Sequence, residues 1–235
     1  MTVIPFAVNE RYSREQEKRI SSFIQDCSEA SIENEPSKPD NEDTIKSVRK
    51  PSQSKRVNLD LKKLRQDILK YNKRIFEDNQ SNLKDISSYQ VSALNLYNYG
   101  FQDGIYGYVS VNRLHLNMPI YLGASEYNMS LGAAQIAQTS IPYGGKNTHA
   151  VLAGHCGFGY MDYFRHIDSL NIGDEIKITI PFGQITYSVC DKSIIKPSEF
   201  YSLKIQEGKD MLTLLTCYPY PTNKYRCCII CERKK

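Results

Sequence analysis

At 235 residues, with a net charge of +4 and 24% charged side chains, the chain is long enough for one moderate domain with an appendage, and its core needs no disulfide staples. Its basic residues are dispersed, which excludes a nucleic-acid-binding stripe, and no window approaches the roughly 18–20 apolar residues of a membrane span. With no signal-peptide pattern at the start, composition alone describes a soluble protein.

The first element is a short amphipathic helix over residues 11–27, where Ile20, Phe23 and Ile24 recur at helical spacing among charges. Residues 28–54 are rich in Ser, Pro, Asn and charge, which predicts a flexible linker. A second helix follows within residues 58–79, with Leu59, Leu61, Leu64, Ile68, Leu69 and Ile75 marking one face. From Ile105 the texture changes to short apolar runs split by turn residues: "IYGYVSV", "LHLNMPIY", "HAVLAG", "EIKITI", "QITYSV", "MLTLLTC" and "RCCIIC". Seven or so strands of this kind predict an all-β barrel or sandwich, with a hairpin around Phe182-Gly183 and a helical turn in "MDYFRHIDSL".

Seven cysteines at irregular spacing exclude a small disulfide scaffold, and their odd number leaves at least one thiol unpaired in a monomer. One of them, Cys217 in "TLLTCYPY", stands where an apolar strand gives way to a Pro- and Tyr-rich turn. A buried strand cysteine is a small hydrophobe, whereas one at a strand's exit is accessible to chemistry if a partner stands near it.

Four histidines are available. His115 lies in an alternating strand pattern and His166 in the helical turn, and both read as surface or packing residues. His149 and His155 bracket "HAVLAGH"; His149 sits at the far end and reads as a support, whereas His155 precedes the turn "CGFG" and can lean over a cleft. An imidazole near a thiol allows a thiolate–imidazolium pair, in which sulfur attacks and the ring protonates a leaving amine. Acyl transfer also needs a donor for the oxyanion. Arg226 begins the last strand after the turn "YPYPTNK", so a hairpin would set it across from Cys217. Cys228 and Cys231 are spaced C-x-x-C, but an offset of three on a strand sends them to opposite faces and no second ligand pair is evident. No metal and no cofactor is expected.

"HAVLAGH", then "TLLTC", then an arginine after a short turn resemble a sortase, most closely the class C, pilin-polymerising branch. The similarity runs through "YGYVSVNRLHLNMPIYLGAS", "TSIPYGGKNTHAVLAGHCGF", "FRHIDSLNIGDEI" and "GKDMLTLLTCYPYPTNKYRCCIICER", covering nearly all of residues 104–233. The resemblance implies a mainly β fold, a closed eight-stranded barrel with N-terminal helices. On that basis residues 1–54 are a juxtamembrane helix and linker, 55–103 a helical region packing on the barrel, and 104–235 the catalytic domain.

The resemblance further implies a Cys217, His155 and Arg226 triad, with Thr216, Ser193 and Tyr201 shaping the substrate groove. The implied activity is cleavage of an LPXTG-type sorting signal between Thr and Gly, a thioester on Cys217, and transfer to an amine. In class C that amine is a pilin lysine; in the housekeeping branch it belongs to a cell-wall precursor. The opening "VIPFAVNERYSREQEKRI" is similar to the segment after the family's N-terminal membrane anchor, which implies an anchor upstream and a location on the outer face of a Gram-positive cell membrane.

Three departures stand out. Gly154-His155-Cys156 replaces the common Gly-His-Arg, an Asp-Pro-aromatic lid motif is absent from residues 70–104, and no C-terminal hydrophobic span is present. Class B is the neighbouring subclass, although residues 192–209 are short for its helical insertion. From another functional class, the rival is a non-enzymatic pilus-assembly or adhesin β-module. A papain-like hydrolase would place its cysteine near a helix start and before its histidine, the reverse of the order here.

Overall fold

The computed structural model describes residues 3–33, 59–83, 91–157 and 162–234. Eight strands close into a barrel: β1 (Ile105–Val111), β2 (Leu116–Leu122), β3 (Ala133–Gln135), β4 (Thr148–Ala153), β5 (Glu175–Ile180), β6 (Gly183–Ile195), β7 (Asp210–Tyr218) and β8 (Tyr225–Arg233). Around the barrel the order is β1-β2-β3-β4-β7-β8-β6-β5, with β5 returning to β1. The β2/β3 and β4/β7 pairs are parallel and the rest antiparallel. Closure leaves no free sheet edge.

The strand missing from the sequence reading is β3, three residues of Ala-Ala-Gln with no β-branched or aromatic side chain to announce it. It exists because Ile120 and Leu152 on either side offer ladders to it. The hairpin turn also moves slightly: Ile180 pairs with Gly183, so the two turn residues are Pro181 and Phe182. His115 caps the 3₁₀ turn between β1 and β2 with φ +50°, outside the strand in which its alternating neighbours had placed it.

Strand alternation divides the barrel wall into two apolar faces. Val109, Ile120, Ala133, Leu152, Ile178, Tyr187, Leu214 and Ile229, one from each strand, belong to the interior cluster. On the outside of β3, β4, β7 and β8, a second cluster gathers Ala134, Val151, Ala153, Met211, Leu215, Cys228 and Ile230 under Leu203 and Leu83. Cys228 and Cys231 accordingly fall in different clusters, on opposite faces of β8.

Two helices pack on this barrel. The first, α1 (Val3–Glu33), is longer at both ends than residues 11–27, and on the C-terminal side its buried stripe continues past the obvious hydrophobes to Ala30. Gln16, Ile20, Phe23 and Ala30 are all buried, and the Gln16 amide donates to the Leu131 carbonyl at 3.0 Å. Helical structure therefore occupies residues 28–33, where a linker was expected; the rest of that expected linker lies outside the described residues.

The second helix, α2 (Leu61–Glu77), starts at Asp60, whose carboxylate accepts from the Lys63 backbone N–H at 2.9 Å. Leu64, Ile68 and Ile75 face the core as anticipated, but Leu69 is 46% exposed and lies off that face. Asn72 clamps the helix to the barrel, its amide donating to the Ile141 carbonyl and its carbonyl oxygen accepting from the Ile141 N–H. Among the described residues, no helix is long and apolar enough to cross a membrane.

Candidate active site

Register pairs two of the three separated residues and brings the strand that leads into the third alongside them. In the antiparallel β7/β8 ladder Cys217 stands directly opposite Arg226, so their side chains leave the same face of the sheet. In the parallel β4/β7 ladder every partner differs by 62 positions, ending at Ala153 and Leu215. Just past that ladder the Gly154 N–H donates to the Leu215 carbonyl and the Thr216 hydroxyl to the Gly154 carbonyl, so the residues before His155 and before Cys217 are joined across the seam. Parity agrees for two of them: Met211 and Leu215, and Cys228 and Ile230, share the outer cluster with Val151 and Ala153 of β4, and this is the face to which Cys217 and Arg226 belong.

Cys217 is half-buried at the end of β7, before a turn in which the Tyr218–Pro219 and Tyr220–Pro221 bonds are cis. The turn is held from outside by Arg165, whose guanidinium lies 4.8 Å from the centre of the Tyr220 ring. Arg226 Nη1 donates to the carbonyls of Asn223 and Tyr225, at 3.1 and 3.0 Å, which anchors its side chain on the same hairpin.

His155 lies just past β4, and burial holds its pKa below the ordinary imidazole value. A neutral ring at physiological pH is a proton acceptor. Its turn is fixed from two sides: the Gly154 N–H donates to the Leu215 carbonyl at 3.0 Å, and the Phe164 N–H donates to the His155 carbonyl at 2.9 Å. Gly154 is required there because a Cβ would meet the Phe164 ring at 2.6 Å.

The groove residues separate. Ser193 stands opposite Cys228 in the β6/β8 ladder, on the Arg226 side, and borders a cavity of about 210 Å³ with Asp168, Lys192, Ile194, Tyr218 and Cys227. Tyr201 is 81% exposed in a 3₁₀ turn between β6 and β7, its ring stacked on Phe200 at 5.5 Å. Thr216 is only 4% exposed and donates to the Gly154 carbonyl at 2.8 Å. Alternation points it away from the Cys217 face, so it braces the turn from behind and does not line a groove.

The remaining histidines and thiols sort by environment. His149 is fully buried, with Nδ1–H donating to the Lys204 carbonyl at 3.0 Å and Nε2 accepting from the Thr213 hydroxyl at 2.8 Å. A carbonyl can only accept, which fixes this tautomer. His115 and His166 are exposed. Cys156, beside His155 in sequence, is buried; burial and then the nearby Cys217 sulfur push its pKa up. Sequence reasoning missed Tyr163, whose ring meets His155 edge-on at 5.6 Å between centroids and 82° between planes. No periodic pattern in the sequence links the two.

A sortase-domain family model matches residues 109–234. Sortase D of Bacillus subtilis (strain 168) is 25% identical over 114 residues, which are 48% of this chain and 54% of that protein. The chain spans about half the length of the curated relatives it matches. Among solved structures, the type II crystal structure of Streptococcus agalactiae sortase C1 aligns with a TM-score of 0.69 and 30% identity, over 78% of this chain and 93% of that one. Clostridium perfringens sortase C with the C-terminal cell wall sorting motif aligns with a TM-score of 0.62 and 33% identity, over 74% of this chain and 89% of that one.

Proposed function

The chain belongs to the sortase family, and from that premise we propose that it is a cysteine transpeptidase of the pilin-polymerising class C type. The observation that carries this reading is the pairing of Cys217 with Arg226 across β7/β8, one strand away from the His155 turn. A sorting-signal peptide as substrate is supported by the similar C. perfringens sortase C, solved with the C-terminal cell wall sorting motif, and an LPXTG-type sequence is the form we assign to that signal.

The chemistry runs through two acyl transfers. His155 takes the Cys217 thiol proton, and the thiolate attacks the Thr carbonyl carbon of the signal. Arg226, anchored through Nη1, offers its Nε and Nη2 hydrogens to the developing oxyanion. As the C–N bond breaks, the imidazolium gives its proton to the departing glycine amine, leaving a thioester on Cys217. The incoming amine loses a proton to His155, adds to the thioester and expels the thiolate.

We assign a pilin lysine as that amine, with a cell-wall precursor amine, as in a wall-anchoring or class B enzyme, as the alternative. Ser193 and Tyr201 are the groove residues in this reading. In this reading the barrel β1–β8 is the catalytic unit, α2 packs on it as support, and α1 faces the outer side of a Gram-positive cell membrane.

Incubation with a sorting-signal peptide tests the proposal directly. A mass increase equal to the acyl fragment on Cys217, lost by hydroxylamine treatment and absent from Cys217→Ala, is expected. Failure to form that adduct across a library of signal sequences would favour the non-enzymatic β-module.

A further inference from the structure

A catalytic imidazole carried on a turn needs its ring orientation held by something other than the strand. At His155 one neighbour suited to that task is Tyr163, whose ring packs edge to face against the imidazole. Tyr163 is itself held on several sides. It is 6% exposed, its hydroxyl donates to the Ser130 carbonyl at 2.8 Å in α3 (Glu126–Leu131), and Tyr12 of α1 lies against its ring at 5.2 Å. The next N–H, that of Phe164, bonds the His155 carbonyl, so backbone and ring of the histidine are gripped by consecutive residues.

The backbone of Tyr163 adds a second kind of observation. Its φ is +42°, in the left-handed region that a bulky aromatic side chain rarely adopts. Such a conformation persists only where surrounding contacts over-determine it.

We propose that Tyr163 is a positioning residue for His155, fixing the orientation of its ring at the Cys217 face, and that α1 braces this contact through Tyr12. The idea rests on the reading of His155 as the proton-transfer group. Its geometric half can be judged independently. A helix distant in sequence from the barrel's catalytic strands thereby bears on the proton-transfer step, through Tyr12 and then Tyr163. The expected consequence is on turnover, because substrate need not touch either tyrosine for a misaligned imidazole to slow the reaction.

The test compares Tyr163→Phe, Tyr163→Leu and Tyr12→Leu in the full chain. Steady-state kinetics on a sorting-signal peptide are paired with NMR of ¹³C-labelled histidine rings, with the His155 signals assigned by their loss in His155→Gln. Tyr163→Leu should lower kcat by about 10–100-fold with KM within about twofold, the scale seen when an orienting partner is lost. Tyr163→Phe, which keeps the ring, should restore most of that turnover. The His155 signals should move in Tyr163→Leu while those of His115, His149 and His166 stay in place.

Tyr12→Leu should move the His155 signals in the same direction by less, and it keeps the test open if Tyr163→Leu does not fold. Unchanged His155 signals in folded Tyr163→Leu would overturn the positioning role, and unchanged signals in folded Tyr12→Leu would overturn the brace from α1. A fall in kcat accompanied by equal movement of the buried His149 signals would overturn the positioning role too, since that is the mark of a general loss of structure. A parent protein that forms no thioester would sink the catalytic reading alone, because the histidine spectra still report whether Tyr163 orients the ring.

Discussion

The hydroxyl of Thr216 donates to the carbonyl oxygen of Gly154 at 2.8 Å, across the parallel seam where β7 runs beside the end of β4. The bond joins the residue before Cys217 to the residue before His155, so it sets the spacing of the sulfur and the ring from behind the sheet. Thr216→Val keeps the shape and removes the donor, leaving a buried carbonyl without its partner at a cost of about 1–3 kcal/mol. Chemical denaturation should show that loss, with slower Cys217 acylation, and Thr216→Ser should recover both. A Val variant as fast and as stable as the parent would mean that the seam needs no such tie.

Cys217 should also be the first of the seven thiols to react. Burial pushes the thiols of Cys27 and Cys228 up to about 12 and that of Cys227 to about 11, and raises Cys231 and Cys156 as well. The exposed Cys190 is also raised by burial of its sulfur, which donates to the Ile230 carbonyl at 3.4 Å. Since the thiolate is the nucleophile, brief alkylation near pH 7.5 followed by peptide mapping should label Cys217 first and Cys190 next. Early labelling of Cys227 or Cys228 would contradict the packing described for β8.

Arg226 offers a way to separate acyl transfer from simple thiol reactivity. Loss of an oxyanion donor typically costs about 10²–10³ in kcat. Arg226→Ala should show a fall of that order in peptide cleavage, and Arg226→Lys should recover little, since a flexible point charge does not reproduce the planar guanidinium. Alkylation of Cys217 by iodoacetamide builds no oxyanion and should be far less affected. Parallel losses in both reactions would show that Arg226 acts on the sulfur itself.

Much of this site was legible because β-strands have a strict period. The turn "YPYPTNK" between "TLLTC" and "RCCIIC" predicted a hairpin setting Arg226 across from Cys217, and the observed register makes that pair. Strand alternation, applied one residue back, places Thr216 on the far side from Cys217 and shows why it is a brace. What escaped was held by contacts without a periodic signature. The α1 stripe runs through Gln16 and Ala30, a polar and a small residue that hydrophobic patterning passes over. The short β3 forms because its neighbours offer ladders, and Tyr163 reaches His155 through a turn.

His149 supplies the last prediction, and it concerns stability. Burial lowers its pKa from the ordinary value of about 6.5, and the Lys204 carbonyl only partly offsets this. Above about pH 6.5 the ring is neutral in both folded and unfolded chains, so its contribution is fully present. As pH falls below that value the unfolded chain takes up a proton that the folded chain refuses, and stability is lost down through the folded pKa. His155, also lowered by burial, acts with the same sign, so the informative quantity is the difference between parent and variant. His149→Asn should be less stable than the parent at pH 8, because the Lys204 carbonyl and Thr213 hydroxyl lose well-placed partners, yet its melting temperature should fall less between pH 8 and pH 5. Equal slopes for the two proteins would show that the buried ring accepts a proton as readily folded as unfolded. At pH 8, and at a temperature where both are folded, their peptide cleavage rates should agree within about twofold, because His149 lies at the far end of β4 from Cys217 and orients no reacting atom.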